Sequence, residues 1–134
     1  MTNTTLVKTP RVIVAVGTTN AAAGVTRGTL DLRTAQGGLL TMHIANGATG
    51  PTVQAEGRVL VAHDAGVTPA PGAAGAVWKT LWAFGGGIVA NAITEQSLTI
   101  DPAVMHLQVE FVGNTGQAVT VEAVLSEITN ARSV

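Results

Sequence analysis

The chain has no cysteine and no tyrosine, and only 11% of its 134 residues are charged. Without cysteine there is no disulfide framework, no thiolate zinc knuckle and no thiol nucleophile, so stability must come from packing and association. An ordinary soluble domain carries about 25% charged residues. Here the hydrophobic fraction stays at 46%, and Thr, Gly, Ala, Asn and Gln stand where charges would be, so the deficit falls on the surface. At a formal net charge of −1, little long-range repulsion keeps copies apart, which implies that neighbours in an assembly cover much of that surface. The basic residues Lys8, Arg11, Arg27, Arg33, Arg58, Lys79 and Arg132 are scattered, which excludes the clustered basic face of a nucleic-acid partner. No apolar run approaches the roughly 18 residues of a transmembrane helix. No amphipathic helix points to a membrane surface, and the segment Met1 to Lys8 lacks both regions of a secretory signal. The expectation is a cytoplasmically made protein of one domain, with no nucleic-acid or membrane partner.

What is present is alternation with a period of two, punctuated by Gly, Pro and Asn. Strand-like runs cover Arg11 to Val16, Thr29 to Arg33, Leu39 to Asn46, Val53 to His63, Val77 to Phe84 and Thr94 to Ile100. An interior glycine weakens a ladder or marks a bulge, so the Val53 run is expected to bulge at Gly57. In the last third, Met105, Leu107, Val109 and Phe111 alternate with His106, Gln108 and Glu110. After Gly113-Asn-Thr-Gly116, Val119, Val121, Ala123 and Leu125 alternate with Thr120, Glu122 and Ser126. That pair reads as a hairpin, with Phe111 in the core and Glu110 on the opposite face, where it matters less for folding. Only Asn20 to Val25 and Val89 to Ala92 offer helical turns. About eight strands with regular turns predict an all-β antiparallel sandwich, jelly-roll-like, over residues 11–134. Residues 1–10, Thr-rich and ending in Pro10, read as a short extended N-terminal arm.

No motif in the chain carries chemistry by its spacing. His63-Asp64 places neighbours on opposite faces of a strand, so the two form no relay. His43 and His106 sit on polar strand faces, where a third ligand would be needed to hold zinc; local hydrogen bonding is the simpler role. Glu110 and Glu122, on strands read as hairpin partners, would resemble a two-carboxylate site at equal depth, against the default of solvated carboxylates. Gly85-Gly-Gly87 lacks the frame of a phosphate loop and reads as a strand connection. Trp78, Thr80, Trp82 and Phe84 share one side of their run by parity. The two tryptophans there serve either as core or subunit-contact anchors or as a sugar-stacking platform. The loop Gly66 to Gly75, with Pro69 and Pro71, has little scope for regular structure. No catalytic residue, metal ligand or cofactor is assigned.

The stretches Gly28-Thr-Leu-Asp-Leu-Arg-Thr-Ala-Gln-Gly-Gly-Leu-Leu40 and Val109-Glu-Phe-Val-Gly-Asn-Thr-Gly-Gln-Ala-Val-Thr-Val-Glu-Ala123, within an Ala/Thr/Gly-rich chain, resemble small β-rich structural proteins of tailed-phage virions. Capsid decoration (cement) proteins are the type they most resemble. The resemblance runs loosely from Thr26 to Thr129 and is one of style and strand order. It implies a non-enzymatic sandwich on the capsid surface that oligomerises, as a trimer, and binds the major capsid protein. Candidate contacts are Leu6 and Val7 of the arm, Pro69 and Pro71 of the loop, and Trp78 and Trp82. The alternative is a carbohydrate-binding, lectin-like sandwich of a phage tail or head-tail component.

Overall fold

Alternating side chains generate eight strands in two antiparallel sheets, and the computed structural model describes them over residues 4–133. They are β1 (Thr4–Asn20), β2 (Thr26–Asp31), β3 (Gly38–Asn46), β4 (Glu56–Ala62), β5 (Lys79–Gly85), β6 (Ile93–Ile100), β7 (His106–Val112) and β8 (Val119–Ser133). One sheet has the order β1-β8-β3-β6 and the other β2-β7-β4-β5. First pairs with last, second with seventh, third with sixth and fourth with fifth, the nesting produced when one long antiparallel ribbon is wrapped into two layers. The inward residues of both sheets form one core: Leu40, Met42 and Ile44 of β3 and Val121, Ala123 and Leu125 of β8 meet Val59 and Val61 of β4 and Leu107, Val109 and Phe111 of β7. The all-β sandwich expected from the sequence is therefore the fold.

Three expectations change. The runs at β7 and β8 do not form a hairpin: β7 lies in one sheet and β8 in the other, so Gly113 to Ala118 arches across the sandwich. Asn114, fully buried, explains the arch. Its side-chain amide donates to the carbonyls of Asn20, Ala21 and Gln117, and its carbonyl oxygen accepts from the Asn20 amide at 2.6 Å, so the link is tied to the end of β1 rather than closed on itself. Second, Gly57 does not bulge. A Cβ there would run into the Phe84 ring and the Met42 methyl, so its glycine serves a close approach. Third, both helical turns are isolated turns, with Ala23 and Asn91 at positive φ, and among the described residues there is no helix.

The expected arm is also part of a strand. Met1 to Asn3 lie outside the described residues, and from Thr4 the chain runs as β1, paired with β8 from Ser133 inward. Pro10 sits opposite Ser126; β1 is an edge strand, where a proline without an N–H is tolerated. The strand continues past Gly17, at φ +78°, through an irregularity between Val14 and Thr18. β3 reaches only as far as Gly38 opposite Glu127. Thr4 to Val7 and their partners Asn130 to Ser133 thus project as a two-stranded ribbon of about 13 Å.

Candidate interaction site

The outer face of the β2-β7-β4-β5 sheet is where most polar structure gathers. β7 is central in that sheet, and its outward residues His106, Gln108 and Glu110 are as hidden as its inward ones. Burial of three polar side chains in a row demands partners for each. The chain between β4 and β5 supplies two of them by folding back as a strap. His106 donates through Nε2 to the Asp64 carbonyl at 2.8 Å, and its Nδ1 lies 3.2 Å from the Thr68 hydroxyl. In the neutral ring Nδ1 accepts from that hydroxyl. Gln108 matches its side-chain amide to the Gly72 peptide, accepting from the N–H at 3.0 Å and donating to the carbonyl at 2.6 Å. Arg33 adds a bond to the Ala65 carbonyl at 2.9 Å.

Trp78 closes the strap. It is 2% exposed, packs with Leu60 and Ala62 in a second small apolar cluster, and donates from its indole to the Ala70 carbonyl at 2.9 Å. Trp82 faces the other way, half-buried against the main core and stacked on Phe84 with ring centroids 5.3 Å apart. Parity would place the two tryptophans together. A bulge separates them: Val59 pairs with Trp82 but Leu60 with Thr80, leaving Leu81 unpaired, and one extra residue reverses the alternation. The two tryptophans thus form no single platform.

Glu110 is covered by arginines instead of the strap. Arg27 and Arg58 stand opposite it on β2 and β4; Arg27 Nε donates at 2.5 Å and Arg58 Nη1 at 3.4 Å, while Arg58 also grips Glu56 at 2.6 Å. These carboxylates raise the Arg58 pKa above its usual value, the Glu56 hydrogen bond being the largest cause. At the strapped end, the hydrogen bonds from Arg33 hold the Asp31 carboxyl far below the usual carboxylate range. Glu122 lies on the outer face of the opposite sheet, so it makes no two-carboxylate site with Glu110. His43 is likewise on that far face, 2.9 Å from Glu95, and His106 is not near it. Among the described residues no group of three His, Asp or Glu is placed to hold a metal.

The other residues singled out in the sequence disperse. Leu6 is 49% exposed on the projecting ribbon, with Val7 half-buried beside it; Pro69 is half-buried and Pro71 exposed on the strap. Nothing in the sequence marked His106, Gln108 and Glu110 as a buried row, although the length of the β4–β5 connection was a signal, since long structureless loops in compact domains are uncommon. Asn46 was also missed. Its amide donates to the carbonyls of Gly86, Gly87 and Val89, pinning the glycine-rich connection.

No family model matches the chain, and no curated protein matches it in sequence. Solved structures align with the chain at low similarity. A cleaved adhesin domain of Lys-gingipain from Porphyromonas gingivalis is 12% identical with a TM-score of 0.47, over 76% of this chain and 62% of that one. A family 29 carbohydrate binding module from Piromyces equi is 10% identical with a TM-score of 0.43, over 95% and 91%. A chain of infectious bursal disease virus, Gx strain, is 10% identical with a TM-score of 0.42, over 100% and 32%. The chain thus spans under two thirds of the adhesin domain and about a third of the viral chain. The chain is by its own strands a small all-β sandwich, and viral and carbohydrate-binding proteins are among its distant structural neighbours.

Proposed function

We propose that the protein is a non-catalytic structural component of a tailed-phage virion, a decoration protein that binds the assembled capsid shell and adds contacts between major capsid subunits. The projecting ribbon is the observation that carries this reading. A two-stranded ribbon alone is marginally stable in water, yet this one extends past the body with Leu6 half-exposed and Val7 beside it. Ordering such a segment is offset when a neighbour covers it. Three further features support the reading: the low surface charge, the nested strand order, which is that of a jelly roll, and the exposed apolar side chains of Val12, Val16, Leu39, Ile88 and Val89. A protein that binds the assembled shell but not its dissociated parts stabilises assembly by mass action. Self-association would multiply these contacts. The carbohydrate-binding alternative loses its two-tryptophan platform, since Trp78 is buried under the strap and Trp82 faces the core.

The test is co-sedimentation with intact shells of the encoding phage. The full chain is expected to pellet with shells and not with free capsid subunits. Deleting residues 2–7 removes the ribbon while the core keeps every inward residue, so the thermal melt should stay nearly unchanged and shell binding should weaken. Equal binding by the truncated chain, or no binding by the full one, overturns the reading.

A further inference from the structure

The two outer faces of the sandwich are treated differently. The strap and the arginine–glutamate pairs cover the β2-β7-β4-β5 sheet within the chain, whereas among the described residues the outer face of the β1-β8-β3-β6 sheet carries no such cover. Its registers arrange it in cross-strand rows. The middle row is Val12, Val124, Thr41 and Ser97, uncharged, with Val12 64% exposed and the Thr41 and Ser97 hydroxyls bonded to each other at 2.9 Å. Toward the ribbon lies an apolar groove of about 410 Å³, lined by Leu39, Ile100, Pro102 and Ile128, with Lys8 as its one charged residue. Toward the opposite end, Glu122, His43 and Glu95 form a single row, and Ile93 follows, 66% exposed. One end of the face is therefore basic and apolar, the other acidic and apolar. Neither Lys8 nor Glu122 makes an ion pair among the described residues.

We propose that this face is a two-fold self-association surface, occupied by a second copy of the chain turned end for end. Lys8 and Glu122 sit about 20 Å apart along β8 by strand rise, on either side of the Val12/Val124 row. A two-fold axis lying in the interface across the strands at the level of Leu125, midway between the two, brings Lys8 of each copy level with Glu122 of the other and one strand away from it. The contact is then isologous, each complementary pairing made twice. Four strands about 4.8 Å apart and the four rows so paired cover about 500 Å² per copy. The total is close to the roughly 1,000 Å² that a specific interface needs. The inference names the surface for the self-association in the reading above and rests on that part of it alone; a trimer requires a heterologous contact instead.

Analytical ultracentrifugation of the full chain at micromolar concentration tests it. The wild type should be a dimer. Glu122→Lys and Lys8→Glu should each weaken dimerisation by about tenfold or more, because each sets like charges against each other. The combined Lys8→Glu, Glu122→Lys chain should dimerise again. Asp64→Lys, on the strap, should leave the dimer intact. Melts followed by circular dichroism establish that every variant is folded. A wild-type monomer or trimer, folded single variants that still dimerise, or a double variant that stays monomeric each overturn the proposal. Shell co-sedimentation of Glu122→Lys keeps the two readings apart: a monomer that still pellets with shells removes this interface and leaves the decoration function standing.

Discussion

Glu110 and Phe111 are neighbours on β7, equally hidden, and held by opposite physics. Phe111 is inward, and Phe111→Ala loses its transfer free energy and leaves a cavity, a cost of about 3–5 kcal/mol. Glu110 is outward, where the sequence placed it, but it is not the indifferent surface residue expected there, because arginines on both neighbouring strands close over it. Those arginines keep partial solvent contact and rehydrate when Glu110 is removed. Glu110→Ala should therefore cost about 2 kcal/mol, below the range for breaking a fully buried pair. Urea denaturation of both variants checks the order, and a neutral Glu110→Ala would show that the bridge contributes nothing. Asp31 adds a pH dependence. Its folded-state pKa is depressed by Arg33, so the unfolded chain binds more protons in acid. The stability it contributes is present above the ordinary carboxylate value of about 3.9 and is lost as pH falls below it. Its carboxyl is 42% exposed, so the effect is small. The stability gap between wild type and Asp31→Asn should be steady near neutrality and begin to narrow only once pH falls below that value.

At the scale of elements, the strap behaves as a unit fastened at few points. Trp78→Ala removes both its apolar anchor and the bond to Ala70, while the main core keeps every member. The expected outcome is rapid proteolytic cleavage within residues 64–77 with the sandwich still folded; a strap as resistant as wild type would mean that Gln108 and His106 suffice to hold it. Strands were legible in the sequence because alternation is written residue by residue, as in Leu40, Met42 and Ile44. Their pairing was not. Gly113-Asn-Thr-Gly116 has turn chemistry that suits a hairpin and an arch equally well, and distant partners, Asn20 and Ala21 on Asn114 and Thr52 and Val53 on Thr115, decide for the arch. The bulge at Leu81 leaves no local mark either, so parity misplaced Trp78 relative to Trp82. Of the candidate contacts, Leu6 and Pro71 are exposed. The buried polar row was hidden because a polar residue on an outward strand position looks the same whether water or a returning loop covers it.

At the scale of the whole molecule the two sheets divide the labour: among the described residues one outer face is closed by the chain's own strap and charges, the other is left uncovered, and a ribbon extends beyond both. The nested order that builds this body also imposes a schedule. Within the sandwich, β1 leaves a ribosome before the other seven strands and pairs only with β8, the last of the eight; Thr9 and its hydroxyl neighbour Thr129 are 120 residues apart. At about 5–20 residues per second, β1 waits on the order of ten seconds for its partner to be made. Throughout that interval the run Val12 to Val16 presents an open strand edge to any sister chain on the same message. Pro10 and Arg11 at its entrance are residue types that discourage such pairing. Synthesis rate thus becomes a variable in yield: faster translation shortens the wait, and crowded polysomes lengthen the list of wrong partners.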